Sequence, residues 1–208
     1  MKESQNKINL SEEMIEIVDA SGAVKGVARR SEVHGNPSLL HRVVHVLVFN
    51  DKVELLLQKR SMNKDVAPGK WDTSVGGHVN PGENIHEAAK REMQEELGIN
   101  NAEPVLLYNF IFRNDFESEL VSTFLCIFNG NITFEKGEID EVSFYDLKKI
   151  SENMGIGLLS DNFELEIKNY AYAASISDRP LPWTKDIFMD LEIKPDIQTV
   201  FDDPSGKQ

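Results

Sequence analysis

The 208-residue sequence predicts one α/β domain of the mixed α+β kind, with strands on both sides of a single prominent helix. Three observations predict it. The runs "HRVVHVLVF", "VELLLQKR", "PVLLYNFIFRN" and "ELVSTFLCIF" are apolar, rich in strand-forming residues and too short for helices of ordinary length. Between the second and third lies "ENIHEAAKREMQEEL", a helical stretch with its own start and stop signals. Hydrophobic residues make up 40% of the chain, enough for one sizeable core.

Taken in order, residues 1–11 are expected to be a flexible N-terminus, 12–193 the domain and 194–208 a loose tail. "EMIEIVDASGAVKGVARRSEVH" reads as a hairpin over about residues 12–33, turning at Ser21-Gly22. Two core strands follow, joined by "NDK", and then the loop "SMNKDVAPGKW" with Pro68-Gly69 as its strongest break. Pro81-Gly82 closes a turn before the helix, which runs from about Glu83 to Leu97 and is stopped by Gly98. Two further strands lead to helices at "DLKKI" and "DNFELEIKNYAYAASI".

Charge and composition exclude several classes of partner. A net charge of −13 opposes binding to nucleic acid polymers and to anionic membranes. An anionic substrate must then be held by metal ions or by a few placed cations. Cys126 is the single cysteine, so no disulfide forms within the chain, and its run "STFLCIF" reads as a buried strand. The opening residues lack the apolar core of a signal peptide, and "VVHVLVF" is too short to span a bilayer, so a cytoplasmic setting is expected.

The helix carries Glu92, Glu95 and Glu96 at spacings of three and four, where like charges cost a few tenths of a kcal/mol per pair. At roughly 100° per residue the three fall on the arc of Ile85, Ala88 and Ala89. His86, Glu87, Lys90 and Gln94 take the opposite, solvated face. Carboxylates turned inward are costly unless neutralised, and Arg91 is expected to relieve only one of them. A divalent cation, Mg²⁺ by its preference for carboxylate oxygens, is the economical answer.

Gly77, Glu83, Arg91-Glu92-Met93, Glu95-Glu96 and Gly98-Ile99 match every specified position of the Nudix box, so the chain resembles the Nudix hydrolase superfamily. Chance agreement at nine positions is on the order of one in a billion per start site, so the motif decides the matter. The resemblance implies an α/β/α sandwich over about residues 40–175, here with an N-terminal hairpin. It also implies a hydrolase acting on acid anhydrides with Mg²⁺ or Mn²⁺. Its substrate would be a small molecule with a diphosphate linkage, typically a nucleoside diphosphate derivative. Carried over, Glu92 and Glu96 look like metal ligands, with Gly77 letting backbone approach the ion. Glu95 looks like a further ligand or the residue handling the attacking water, and Glu83 with Arg91 like the pair joining loop to helix. The general base stays open among Glu95, Glu138 and Glu141.

"EVHGNPSLLHRVV", "LLLQKRSMNKDVAPGKWDTSVGGH" and "FESELVSTF" further resemble type 1 isopentenyl diphosphate isomerase. That resemblance implies a second metal site at His34, His41, His78, Glu117 and Glu119, of a donor set suited to Mn²⁺ or Zn²⁺. The isomerase's catalytic cysteine falls at Gly76, which supplies no acid or base, so hydrolysis is the favoured reading. The alternatives are an isomerase-like enzyme and a non-catalytic diphosphate-binding sensor. Arg60 and Lys64 are the expected substrate contacts; for Lys59 and Lys70 an ordinary solvated role is preferred. Trp71 reads first as a loop anchor, while Phe110, Phe112 and Trp183 read equally as core or pocket. The leaving group is not legible, and a homodimer through the hairpin stays open.

Overall fold

In the computed structural model the described residues are 12–134 and 136–194, with the backbone of Val200–Phe201. The strands are β1 (Met14–Val18), β2 (Val24–Arg29), β3 (Leu40–Phe49), β4 (Leu55–Arg60), β5 (Trp71–Asp72), β6 (Val75–His78), β7 (Val105–Arg113), β8 (Ser118–Ile127), β9 (Ile139–Tyr145) and β10 (Val200–Phe201). The helices are α1 (Arg30–Val33), α2 (Ile85–Leu97), α3 (Leu147–Asn153), α4 (Asp161–Ile176) and α5 (Lys185–Asp190).

One mixed sheet organises the domain. Its main path runs β10-β7-β8-β3-β1-β2, and β4, β5, β6 and β9 branch from it. β3 and β8 are parallel over ten register pairs, from Leu40↔Ser118 to Phe49↔Ile127, while the other pairings are antiparallel. β3 is covered on both faces, which is why it reads as a nearly unbroken apolar run. Alternation along it divides the core in two. Val44, Val46 and Val48 join the cluster built with Ala88, Ala89, Met93 and Leu97 of α2. Val43, Leu47 and Phe49 join the one built with Phe163, Ile167 and Tyr170 of α4. The expected sandwich, helices on either face of a sheet, is the fold observed.

Local signals act as anticipated at the hairpin and at α2. Asp19 Oδ1 accepts from the amides of Ser21 at 2.9 Å and Ala23 at 3.1 Å, and Gly22 adopts φ 79°. The side chains of Lys25 and then Ser21 bond Asp19 and hold its carboxyl below the usual range. Helix α2 begins two residues later than expected because Asn84 caps it, accepting from His86 N at 3.0 Å and Glu87 N at 2.9 Å. It ends at Gly98, φ 67°, where Gly98 N donates to Gln94 O and Ile99 N to Met93 O.

Other expectations need correction. Arg30–Val33 forms a helical turn, not the end of a strand. The strands β6 and β9 lie in stretches for which the sequence predicts no strand, because glycines and charges dilute their apolar pattern. The solvated face assigned to His86 is half covered: its Nε2 lies 3.0 Å from the Pro104 carbonyl. The tail expected to be loose supplies β10, whose backbone pairs Val200 with Phe110 and Phe201 with Asn109. The remainder of that tail, and the N-terminus read as flexible, lie outside the described residues. Among the described residues no helix is long and apolar enough to cross a membrane.

Cys126 is buried on β8 in the cluster with α2, as its run predicted, and burial, followed by the charge of Glu103, pushes its thiol up to about 11. The native chain should therefore resist alkylation at pH 8, where only about a thousandth of the thiol is ionised. The rate should climb about tenfold per pH unit towards 11 and become fast at pH 8 in denaturant. Rapid modification of the native protein at pH 8 would contradict this placement.

Candidate active site

Helix α2 meets β6 at the glycine pair. A Cβ on Gly77 would fall inside the Glu92 carboxylate, so glycine there is what lets that carboxylate reach the strand. Glu96, one turn on, accepts from Gly76 N and from Gln58 Nε2, each at 3.2 Å. These donors are neutral. Burial, then the charge of Glu92, pushes Glu96 up to about 8. Burial also raises Glu92, against the opposing pull of Arg91.

Arg91 does more than the sequence suggested. It grips Glu83 with two bonds, Nε to Oε1 and Nη2 to Oε2, both 2.9 Å, and Nη2 also donates to His78 O at 2.9 Å. Its Nη1 reaches Glu92 at 2.6 Å and Glu95 at 3.0 Å. Arg91 thus ties the turn after β6 to the helix and relieves two of the three clustered carboxylates; Glu96 is the one it leaves. Bonds from Arg91 hold the Glu83 carboxyl below its usual range. The expectation that all three glutamates face inward fails for Glu95, whose side chain is 58% exposed.

A second cluster lies on the other side of the glycine pair. His34, His41 and His78 each offer a ligand atom, all within 4.8 Å of one another. His34 Nε2 and His78 Nε2 are 3.3 Å apart, and Glu117 Oε2 stands 4.0 Å from His34 Nε2. His78 Nδ1 lies 2.8 Å from Glu13 Oε1, which turns the ring's other nitrogen towards the cluster. Burial lowers His34 to about 4 and His41 to about 3, so both rings are neutral, as metal ligands must be. Parallel pairing sets Glu119 beside His41 in the sheet, and Glu119 Oε2 accepts from Asn162 Nδ2 at 3.0 Å. Burial, then the neighbouring Glu119, pushes Glu117 up to about 8.

Both groups fit divalent cations. Glu92, Glu96 and the Gly77 backbone are hard oxygen donors, and the raised Glu96 lacks a cationic partner, a donor set suited to Mg²⁺. The histidine trio contains two buried nitrogens with no hydrogen-bond partner, His34 Nδ1 and His41 Nε2. Imidazole with carboxylate suits Mn²⁺ or Zn²⁺.

One cavity of about 670 Å³ opens onto both clusters. Glu92, Glu96, Gly77, His34, His78, Glu117 and Glu119 all line it, and so do Arg60 and Lys64. Glu83, Arg91, Glu95 and His41 are not on its wall; Glu83 and Arg91 act behind it. Of the three residues considered as general base, Glu138 lines the cavity, while Glu95 and Glu141 are exposed elsewhere. Lys70, read as an ordinary loop residue, also reaches the wall. Trp71 is buried against Tyr145, a loop anchor as expected, while Phe110 and Trp183 are core and Phe112 lines the cavity. Sequence reasoning missed His45, Thr73, Asp72 and Asn162 on the wall. A signal existed for His45: four residues beyond His41 on a strand, it shares that residue's face.

Comparison with known proteins agrees with this geometry. A family model described as the NUDIX domain matches residues 39–160. An uncharacterized Nudix hydrolase of Yersinia pestis is 34% identical over 130 residues, covering 62% of this chain and 71% of that one. An isopentenyl-diphosphate Delta-isomerase of Photorhabdus laumondii is 31% identical over 146 residues, covering 67% of this chain and 83% of that one. The crystal structure of DR0079 from Deinococcus radiodurans shares the fold, with a TM-score of 0.66 at 24% identity over 76% of this chain and 99% of that one. With the complete box, its glycine pair and the sandwich fold all in register, the chain belongs to the Nudix family, whose hydrolases act on diphosphate-containing substrates.

Proposed function

We propose that the chain is a Mg²⁺-dependent (or Mn²⁺-dependent) hydrolase that cleaves a diphosphate linkage in a small molecule, a nucleoside diphosphate derivative being the expected class. A cytoplasmic setting goes with that reading. One observation carries it: Glu92 meets Gly77 and Glu96 bonds the Gly76 amide in a cavity that also holds Arg60 and Lys64. A divalent cation held by Glu92, Glu96 and the Gly77 carbonyl would supply Lewis-acid stabilisation of charge on the phosphoryl oxygens. Arg60 and Lys64 orient the diphosphate by charge-assisted hydrogen bonds. Glu138, 3.2 Å from Lys64, takes a proton from the attacking water as its oxygen bonds to phosphorus. The bridging P–O bond breaks, and the leaving phosphate keeps the electron pair. Arg91 and Glu83 keep Glu92 aimed at the cavity throughout.

The isomerase reading has the His34, His41, His78, Glu117 and Glu119 cluster in its favour. It lacks a thiol: Gly76 stands where the cysteine would be, and Cys126 is buried in the other core. The cluster is better assigned as a second divalent-metal site beside the hydrolytic one.

A panel of diphosphate compounds, isopentenyl diphosphate included, should be incubated with the protein and Mg²⁺ or Mn²⁺, with products read by mass spectrometry. Metal-dependent cleavage should fall by at least about a hundredfold in Glu96→Gln. Interconversion of isoprenoid isomers without cleavage would overturn the hydrolase, and binding without turnover would make the chain a sensor. Gly77→Ala should keep the fold yet lose activity by a similar factor, because the methyl displaces the Glu92 carboxylate; wild-type kinetics in that variant would refute its role. Mn²⁺ should raise the Tm of the wild type above its value in EDTA. His41→Gln should keep only the part of that rise due to the α2 carboxylates, and an equal rise in both would remove the second site.

A further inference from the structure

His45 has no part in the chemistry assigned so far, yet it is held on the cavity wall by a bond to a fully buried carboxylate. It is 4% exposed, on β3, and its Nδ1 lies 2.7 Å from Glu166 Oε2 on α4. Glu166 is itself fully buried, at 0% exposure. Its Oε1 accepts from Tyr108 OH at 2.6 Å and from Thr123 Oγ1 at 3.0 Å. A buried carboxylate with this many donors is an acceptor on both oxygens, so the proton on His45 is at Nδ1 and the ring cannot turn. The opposite edge of the ring borders the cavity: a Cβ built on Gly76 would lie 3.4 Å from Cδ2 and 3.7 Å from Nε2. Thr73 turns its methyl to the same point, its Cγ2 3.5 Å from that Cβ position.

The charges around this spot select the ligand. Arg60, Lys64 and Lys70 on the same wall each have an acidic partner, Asp72 at 3.4 Å, Glu138 at 3.2 Å and Asp161 at 3.3 Å. The partner of His45 is different, because Glu166 stands behind the ring in the core and leaves the cavity edge free. Burial opposes a charge on His45, but the bond to Glu166 and its charge, then Glu119 and Asp72, outweigh it and raise the ring above its usual range. Set against the buried Glu166 carboxylate, the ring carries a second proton at Nε2, and this fixed, charged donor at the cavity edge suits an anionic oxygen.

We propose that His45 forms a phosphate-oxygen subsite in the space beside Gly76, holding the substrate diphosphate through His45 Nε2, with Glu166 as the positioning residue. The subsite rests on the diphosphate reading above and adds a residue that holds the group opposite the α2 carboxylates. The space is there because residue 76 has no side chain.

The probe is methylenediphosphonate, a diphosphate that cannot be hydrolysed, titrated by calorimetry into the full chain with Mg²⁺. His45→Gln should weaken binding about tenfold, the loss of one charge-assisted hydrogen bond. Glu166→Gln should weaken it too, although it touches no ligand, while the Mg²⁺ affinity of both variants stays at the wild-type value. On ¹⁵N-histidine-labelled wild type, the His45 Nε2 resonance should shift as the probe saturates, a readout that needs no variant to fold. Unchanged affinity in His45→Gln, or an unmoved His45 resonance at saturation, would overturn the subsite and leave the hydrolase reading intact. Failure of the wild type to bind the probe at all would bring down the diphosphate reading, and the subsite with it.

Discussion

The double burial of β3 is the constraint on which the rest of the molecule depends. A strand covered on both faces must send successive residues into two different cores, and Val43 to Phe49 do so without interruption. The helix that carries the acidic box then packs on one face, and the helix that carries Glu166 on the other. His45 and Val44, neighbours in sequence, consequently look towards opposite helices. So do Gly76 and Gly77, their partners in β6. Each glycine clears space on its own side of the sheet.

That arrangement concentrates negative charge where β4 leaves β3. The two strands share a single register pair, Phe49↔Leu55, and β6 takes the place beside Val43–Val46. Glu96 projects into the resulting gap and bonds both Gln58 and Gly76. Two kinds of buried or half-buried acid occur here, and they are handled differently. Glu83 and Glu92 are answered from within the chain by Arg91, and Glu166 by three donors. Glu96, Glu117 and Glu119 receive only neutral or remote help, and burial raises all three. The first kind is structural, and the second is the kind that a cation completes.

Much of this was legible in the sequence. Long strands announce themselves by apolar runs, and α2 by its periodicity and its terminal glycine, so β3, β4, β7, β8 and α2 were all anticipated. The box residues were found because their spacing is specific, and the histidine cluster because a related pattern exists to compare. Short or diluted elements were not legible: β6 is half glycine, β9 carries Asp140 and Glu141, and β10 consists of two residues paired to the edge of β7. Glu166 carried a faint signal, an acid on the apolar stripe of Phe163, Ile167 and Tyr170, the same inconsistency that drew attention to α2.

By itself, then, the sequence determined the class of fold, the acidic helix and most of the charged residues of the candidate site, because each follows from local periodicity or spacing. Only the tertiary structure decided which of them meet. Glu95 shares the helix with Glu92 and Glu96 but turns to solvent, since one residue is about 100° of rotation and the cavity is narrower than the arc. Arg91 reaches two of the three clustered glutamates because the Glu83 turn folds back over it. His45 and Glu166 are 121 residues apart in the chain and 2.7 Å apart in space. No local pattern encodes such a contact; it exists because β3 and α4 close over one core.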